Sequence, residues 1–495
     1  MAINSVSTSS NSIVQSLLDM RAQFDDLQRQ LSTGQKSASY AGLGSGRGLS
    51  VSLNSQMSTM TAFDNSIDMI DTRLKLAQTS LDGMSTIGNQ MKALVVQGGA
   101  NSGNASSAQL TAQSSLQQLL GLLNAQAGGR YLFSGRATDQ PAVETYDHIV
   151  NGDGARAGLK QLIDERAQAD LGASGLGRLT VGGTASSVTL DEDAGPFGFK
   201  LASASSNLSN ATVSGPTGSP ANLTVNFTGQ PNDGDTLTVR FNLPDGTTTN
   251  LTMTATTKSP PGDNQFTIGG STAATVSNLQ GALSTALGAL AGSTLKAASA
   301  VTASNDFFSA DLSNPPQRVA GPPFDTATAM TAGTTANTVV WYTGEAGPDP
   351  ARGTATTRID PALVVSYGAR ANETGLRTLV QNVATLAAVT ISPTDPNLTN
   401  FTAALSQRVG TGLAGSPGQQ SVTDIEAELA GVQTTMASVK GRHAQVSATL
   451  GDMLQQISGV SNEDVGAQIL TLQTRMQASM QTTAMMYQLS LVKFI

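Results

Sequence analysis

Residues 13–31 read IVQSLLDMRAQFDDLQRQL, and residues 425–457 read IEAELAGVQTTMASVKGRHAQVSATLGDMLQQI. In the first stretch Ile13, Leu17, Met20, Phe24, Leu27 and Leu31 recur at alternating steps of four and three. In the second, Ile425, Leu429, Val432, Met436, Val439, Val446, Leu450, Met453 and Ile457 keep the same beat, interrupted only by His443. That period draws an apolar stripe along a helix, and the stripe needs a partner helix over its whole length. Such stripes at both ends predict helices that pair with each other or with neighbouring copies. This is the pattern of an assembling subunit.

The seams extend inward from both ends. The first helix is predicted from about Ser9–Ser12 to Thr33, with Gly34 stopping it and a Gly/Ser-rich loop over 34–48. A long helix follows over 49–97, its seam formed by Phe63, Ile67, Ile70, Leu74, Ala77, Leu81 and Met84. Ile87, Met91 and Leu94 continue it after one stammer. At 1.5 Å per residue this is a rod of roughly 70 Å. A third helix is predicted over 105–127, with Leu116, Leu119, Leu120 and Leu123 buried, then a short strand at GRYLFSG, 129–135. Thr423-x-x-Glu426 reads as a capping box heading the 425–457 seam. A last helix runs from about Asn462 nearly to Ile495. Its stripe is Val465, Ile469, Leu472 and Met476, then Met480, Ala484, Tyr487, Leu491 and Phe494.

Between the ends the period falls to two. Leu223, Val225 and Phe227 alternate with polar residues, as do Leu237, Val239, Phe241 and Leu243. Pro244-Asp245-Gly246 then turns the chain, and Leu251 and Met253 carry the return strand of a hairpin. A helix is predicted over 276–291, loop over 310–350, strand over 356–368 and helix from Glu373. The expected fold class is mainly α with a β insert: a long antiparallel helical coiled-coil rod from both termini, with a β-rich outer domain inserted in the middle. Five segments follow. Residues 1–48 are an N-terminal assembly helix and loop, and 49–171 the N-terminal half of the rod. Residues 172–355 are a variable β-rich insert. Residues 356–460 are the C-terminal half of the rod, and 461–495 a C-terminal assembly helix.

Composition narrows the chemistry. A net charge of −8 with no basic cluster disfavours nucleic acid and anionic membrane surfaces as partners. Cysteine is absent, which removes disulfides, thiolate nucleophiles and zinc–thiolate sites. Only two histidines are present, so a histidine-rich metal site is excluded. The opening residues lack a basic n-region and an apolar core, so no cleaved signal peptide is expected, and no stretch is long and apolar enough for a membrane span.

Several features imitate sites. Gly42 to Gly48 lacks the following Lys-Ser/Thr and the spacing of a phosphate loop, and reads as a connector. His443, on a seam position, reads as a register-setting polar residue, with pH-sensitive packing as the alternative. His148 has no nearby nucleophile in sequence. Asp191, Glu192 and Asp193 lack the calcium-loop pattern and read as a solvated loop. With no GxSxG elbow and no other catalytic constellation, neither an enzyme nor a cofactor is expected.

LSTGQKSASYAGLGSGRGLSVSLNSQM at 31–57, GRYLFSG at 129–135 and LQTRMQASMQTTAMMYQLSLVKFI at 472–495 resemble the bacterial flagellin family. The strand and the final helix resemble its hook–filament junction branch more than filament flagellin. Ala41 to Gly48 replaces the family's usual loop sequence. The resemblance covers about 1–165 and 355–495. It implies a structural subunit of an extracellular filament, exported without a cleaved signal peptide. Implied partners are its own copies, the neighbouring hook-associated protein, flagellin, and an export chaperone on the C-terminal helix. The alternatives are a major or minor filament flagellin and, in another class, a secreted coiled-coil adhesin. The assembly interface is expected at Ile13, Leu17, Met20, Phe24, Leu27, Leu31, Val465, Ile469, Leu472, Met476, Met480, Tyr487, Leu491 and Phe494. The rod core is expected at Phe63, Ile67, Ile70, Leu74, Leu81, Met84, Ile425, Leu429, Val432, Met436, Val439, Val446 and Leu450.

Overall fold

A computed structural model of the chain describes residues 3–98 and 105–492, with side chains at 11–97, 106–486 and 488. The chain opens with helices α1 (Ile3–Thr33), α2 (Arg47–Gly98) and α3 (Ala105–Leu123), then a short ladder of β1 (Gln126–Ala127) and β2 (Arg130–Tyr131). Helices α4 (Tyr146–Asn151) and α5 (Leu159–Leu171) lead into the strand-rich middle. Its strands are β3 (Leu179–Thr184), β4 (Ser187–Glu192), β5 (Lys200–Ser206), β6 (Ala211–Gly218), β7 (Ala221–Phe227), β8 (Thr236–Asn242), β9 (Thr248–Thr256) and β10 (Gln265–Thr267). Helix α6 (Thr272–Leu290) passes through a π-helical turn, Ala291–Leu295, into α7 (Lys296–Ser309). Two short ladders follow, β11 (Arg318–Val319) with β12 (Met330–Thr331) and β13 (Thr356–Asp360) with β14 (Leu363–Ser366). The chain closes with α8 (Thr374–Ala388), α9 (Leu398–Ala414), α10 (Val422–Ser458) and α11 (Asn462–Val492). The fold is mainly α with a β-rich middle region.

Two compact units share this chain. One comprises Met1–Asp71, Thr357–Val365 and Gln433–Ile495; the other comprises Thr72–Thr356 and Ser366–Val432. The boundary therefore falls inside α2 and α10, each of which contributes to both units.

In the larger unit the two-residue period dictates the sheets. Four strands run in the order β3-β4-β7-β6 and four in the order β10-β9-β8-β5. On β8 Leu237, Val239 and Phe241 point inward, pairing across to Met253 and Leu251 of β9 in register. Thr238 and Thr252 face each other on the other side, their hydroxyls 2.9 Å apart. The apolar faces share one core with Val276, Leu279, Leu283 and Leu287 of α6. The Pro244-Asp245-Gly246 turn forms as expected, Gly246 supplying the positive φ (79°) and donating to Leu243 at 3.0 Å. Sequence alone did not reveal what holds that turn: Arg408 of α9 donates from Nε to the buried Asp245 carboxylate at 2.7 Å.

A second buried carboxylate staples α5 to α7. Asp170 is fully buried and accepts from Arg166 Nε at 2.7 Å, Ser299 Oγ at 2.7 Å and the Gly198 N–H at 2.8 Å. The helical half of this unit buries Leu116, Leu119, Leu120 and Leu123 of α3 and packs α3 against α8. Leu74, Ala77, Leu81, Met84, Ile87 and Met91 of α2 are buried, so the stammer at Met84 keeps the seam inward. Ile425 and Leu429 of α10 are buried and Val432 is half-buried.

Several local expectations are corrected. The capping box of α10 is Ser421 with Asp424: Ser421 Oγ accepts from Asp424 N–H at 3.2 Å, and the Asp424 carboxylate accepts from Ser421 N–H at 2.8 Å. The helix therefore starts ahead of Thr423. Glu426, freed of capping duty, keeps one carboxylate oxygen buried without a partner. Burial first, and then the charge of Asp82, push its carboxyl up. Helix α3 ends at Leu123, not 127, because residues 126–131 turn into a ladder. The strand expected at 129–135 is only its second arm, β2. The expected helix over 276–291 runs on through the π turn to Ser309, and α9 lies in a stretch with no predicted element. Met453, placed on the seam by its spacing, is 40% exposed, whereas Leu454 beside it is half-buried.

Asp170→Ala is expected to destabilise the larger unit by about 3 kcal/mol, because it strands the Arg166 guanidinium in a mostly buried site. Urea unfolding followed by emission of the single, buried Trp341 measures this, and an unchanged midpoint would refute it. Glu426 gives a pH signature. A carboxyl raised in the folded state contributes stability below its unfolded value, 4.5, that is lost as pH rises through the folded value. Glu426→Gln should therefore raise the urea midpoint at neutral pH, and the gain should vanish in acid.

Candidate functional site: the terminal helix pair

The smaller unit is built on α1 and α11, which pack against each other. Gly34, at φ 65°, ends α1 by donating to Gln30 O at 2.8 Å, a left-handed stop open to glycine. The chain leaving it is zipped to the α10–α11 turn. Gln35 bridges Gly459, Lys36 N–H donates to Ser458 O at 2.7 Å, and Val460 N–H donates to Gly34 O at 3.1 Å. This double crossing sets where the two helices begin their contact. Ser461 Oγ caps α11 by accepting from Asp464 N–H at 3.2 Å, and Glu463 and Asp464 in the first turn suit the positive end of the helix dipole.

Burial along the pair is uneven. Val465 and Leu472 are buried near the zipped end, at 2% and 6% exposure. Ile13, Leu17, Met20, Phe24 and Leu27 of α1 and Ile469 and Met476 of α11 are half-buried. Leu31 and Met480 are exposed. Phe494 lies outside the described residues, as do the side chains of Tyr487 and Leu491. A second apolar set was not on the expected stripe: Val14 and Leu18 of α1, and Leu470, Met485 and Met486 of α11, all exposed. The signal for it was present in sequence, since Val14 and Leu18 adjoin the stripe positions Ile13 and Leu17 and widen the apolar face beyond one seam. Two helices cover only the side on which they touch, so the flanks of both stripes face outward. Charge adds little here. Arg29 holds the Asp26 carboxyl below its usual range through a side-chain hydrogen bond, helped by Gln30, but that pair lies on the surface.

Beside this pair, the start of α2 and the end of α10 run antiparallel. Ile67 and Ile70 of α2 and Met436, Val439 and Leu450 of α10 are buried, with Phe63 and Val446 half-buried. Polar contacts at their edge step in opposite directions along the two helices. Asp64 meets His443 at 2.8 Å, Asp68 pairs with Lys440, and Asp71 accepts from Gln433 at 3.3 Å. Such matched polar residues fix the register of a coiled coil, where apolar seams alone tolerate slippage.

The other candidates resolve into structural roles. Residues 40–46 form a 3-10 turn, and a side chain at Gly42 would collide with Ser37 Oγ, so the glycine serves close packing. Asp191, Glu192 and Asp193 point to separate partners: Asn222, the N–H groups of Leu201 and Ala221, and Arg178. They are not the solvated loop expected but lie at the end of β4 and just beyond it. His148 hydrogen-bonds Glu144 at 3.0 Å. Among the described residues, no group of three acidic or histidine side chains is placed to hold a metal ion, and no helix is long and apolar enough to cross a membrane.

The geometry is thus a helix pair whose two apolar faces are only partly satisfied, beside a register-locked pair. Residues 3–138 match the family model of the bacterial flagellin N-terminal helical region. No curated protein matches the chain. The matched region carries α1, its glycine stop and all of α2, so the N-terminal part of the chain is similar to the N-terminal helical region of bacterial flagellins.

Proposed function

We propose that the chain is a structural subunit of the bacterial flagellum that polymerises through its paired terminal helices at the hook–filament junction, the role of hook-associated protein 3. The observation that carries the polymerisation surface is the apolar area left outside the α1–α11 pair. Val14, Leu18, Leu470 and Met485 are 48%, 57%, 66% and 56% exposed. Val14 and Leu18 stand one turn apart on α1, and large apolar side chains left open in this way mark an interaction surface. Helices of adjacent subunits have the matching chemistry, and each leucine they cover contributes about 1.5–3 kcal/mol. In this reading residues 1–48 and 461–495 are the assembly segments, and the two halves of the rod support them. The β-rich middle, 172–355, is the outward decoration. The junction role is supported by the sequence ending Leu489-Ser490-Leu491 before Phe494 and Ile495. Export without a cleaved signal peptide, with a chaperone shielding the methionine-rich end of α11, follows from the same reading.

A major or minor filament flagellin is the second reading. The matched region fits it equally well, since junction and filament subunits share these helices. The two separate in a gene deletion. Loss of a junction subunit leaves bare hooks and sheds unpolymerised flagellin into the medium, whereas loss of the filament subunit removes that flagellin.

Leu18→Asp should leave the far-UV circular dichroism of the monomer unchanged. It should raise the concentration needed for polymerisation by about tenfold or more, the equivalent of one lost leucine contact. Leu472→Asp places a charge inside the α1–α11 contact and should lower monomer helicity as well. Normal polymerisation by the Leu18→Asp protein would overturn the assignment of this surface.

A further inference from the structure

His443 does more than set register. It is 3% exposed on α10, and both ring nitrogens face carboxylates. Nδ1 lies 2.8 Å from Asp64 Oδ1 of α2, and Nε2 lies 3.4 Å from Asp360 Oδ2 at the end of β13. The Phe63 ring stands 6.2 Å away, centroid to centroid. All of these groups belong to the smaller unit. An ionised carboxylate only accepts hydrogen bonds, and a neutral imidazole carries one N–H. A neutral ring can therefore satisfy Asp64 or Asp360 but not both, whereas the imidazolium donates to the two together.

The surrounding charges fit that state. Arg442 donates to the same Asp360 oxygen at 2.6 Å. That bond, followed by the Ala362 N–H, holds the Asp360 carboxyl below its usual range, so it remains an acceptor in mild acid. On α2, Asp68 pairs with Lys440, and on β13 Arg358 is exposed. Lys440 and Arg442 each have a carboxylate partner, and Asp64 is the group bonded to the ring from α2. The β13–β14 hairpin buries Ile359 and Val365 but leaves Val364 half in solvent, so its apolar anchorage is short. The contacts of Asp360 with His443 and Arg442 are its polar anchors on α10.

We propose that His443 is a protonation-dependent clamp that ties the β13–β14 hairpin to the α2–α10 pair. As imidazolium it bonds both carboxylates and holds the hairpin down; as neutral ring it gives up one of the two bonds and the hairpin loosens. The clamp is closed with the ring protonated and open with it neutral. It does not depend on which flagellar role the chain fills.

Hydrogen exchange of the full-length monomer tests the clamp. After correction for intrinsic exchange, protection of residues 356–366 should fall about tenfold from about pH 5 to about pH 8, the loss of one charge-assisted hydrogen bond. In His443→Gln the protection should not change with pH. Asp360→Asn offers an amide that can turn to suit a neutral ring, and should also remove the pH dependence. Far-UV circular dichroism, dominated by the long helices that build the smaller unit, together with exchange protection of α10 itself, checks that each variant is folded. Wild-type protection that is flat with pH, or the same pH-dependent fall in both folded variants, would overturn the clamp.

Discussion

A helix with an apolar stripe must cover that stripe, and everything distinctive about this chain follows from how far it can do so alone. Burial is nearly complete where several elements converge on a seam. Leu81, Met84 and Met91 of α2 have essentially no exposed surface, and neither do Ile425 and Leu429 of α10. Among the described residues the terminal helices pack chiefly on one another. Two cylinders in contact share a narrow strip, so burial at Val465 and Leu472 gives way to exposure at Leu470 and Met480. The hydrophobic effect is proportional to area removed from water, so the uncovered flanks retain a driving force for association.

Apolar seams do not by themselves choose a register. Leucine against leucine is nearly as good one turn along, whereas a carboxylate facing a cation or an imidazole is not. In the smaller unit Asp64, Asp68 and Asp71 on α2 meet His443, Lys440 and Gln433 on α10. Elsewhere single buried ions do comparable work. Asp170 joins α5 to α7, Asp245 joins a hairpin turn to α9, and Arg370 holds the loop carbonyls of Gly347 and Asp349. Few aromatic anchors are available in this composition. Trp341, Tyr342, Phe307 and Phe308 are gathered in one buried cluster, and much of the remaining specificity falls to ionic staples.

Much of the architecture was readable from periodicity. The four-three alternation placed α1, α2, α10 and α11, and the two-residue alternation placed β7, β8 and β9. Gly34 and Gly246 marked their turns because positive φ is a local requirement that few residues meet. The capping box of α10 was misplaced by two residues because Thr423-x-x-Glu426 and Ser421-x-x-Asp424 both fit the pattern. Only the path of the chain before the helix selects between them. Met453 and Leu454 posed a similar ambiguity. Either can occupy the inner face late in a helix, where small departures from the ideal heptad accumulate.

From sequence alone came the apolar stripes, their periods, the chemical poverty of the chain and the expectation of an assembling subunit. All are local or compositional properties that survive without knowledge of neighbours. The tertiary structure alone decided which stripe residues stay exposed, which carboxylate meets which cation, and that one histidine stands between two aspartates nearly three hundred residues apart in the chain. Those pairings depend on how distant segments cross, and no spacing within a segment encodes a crossing.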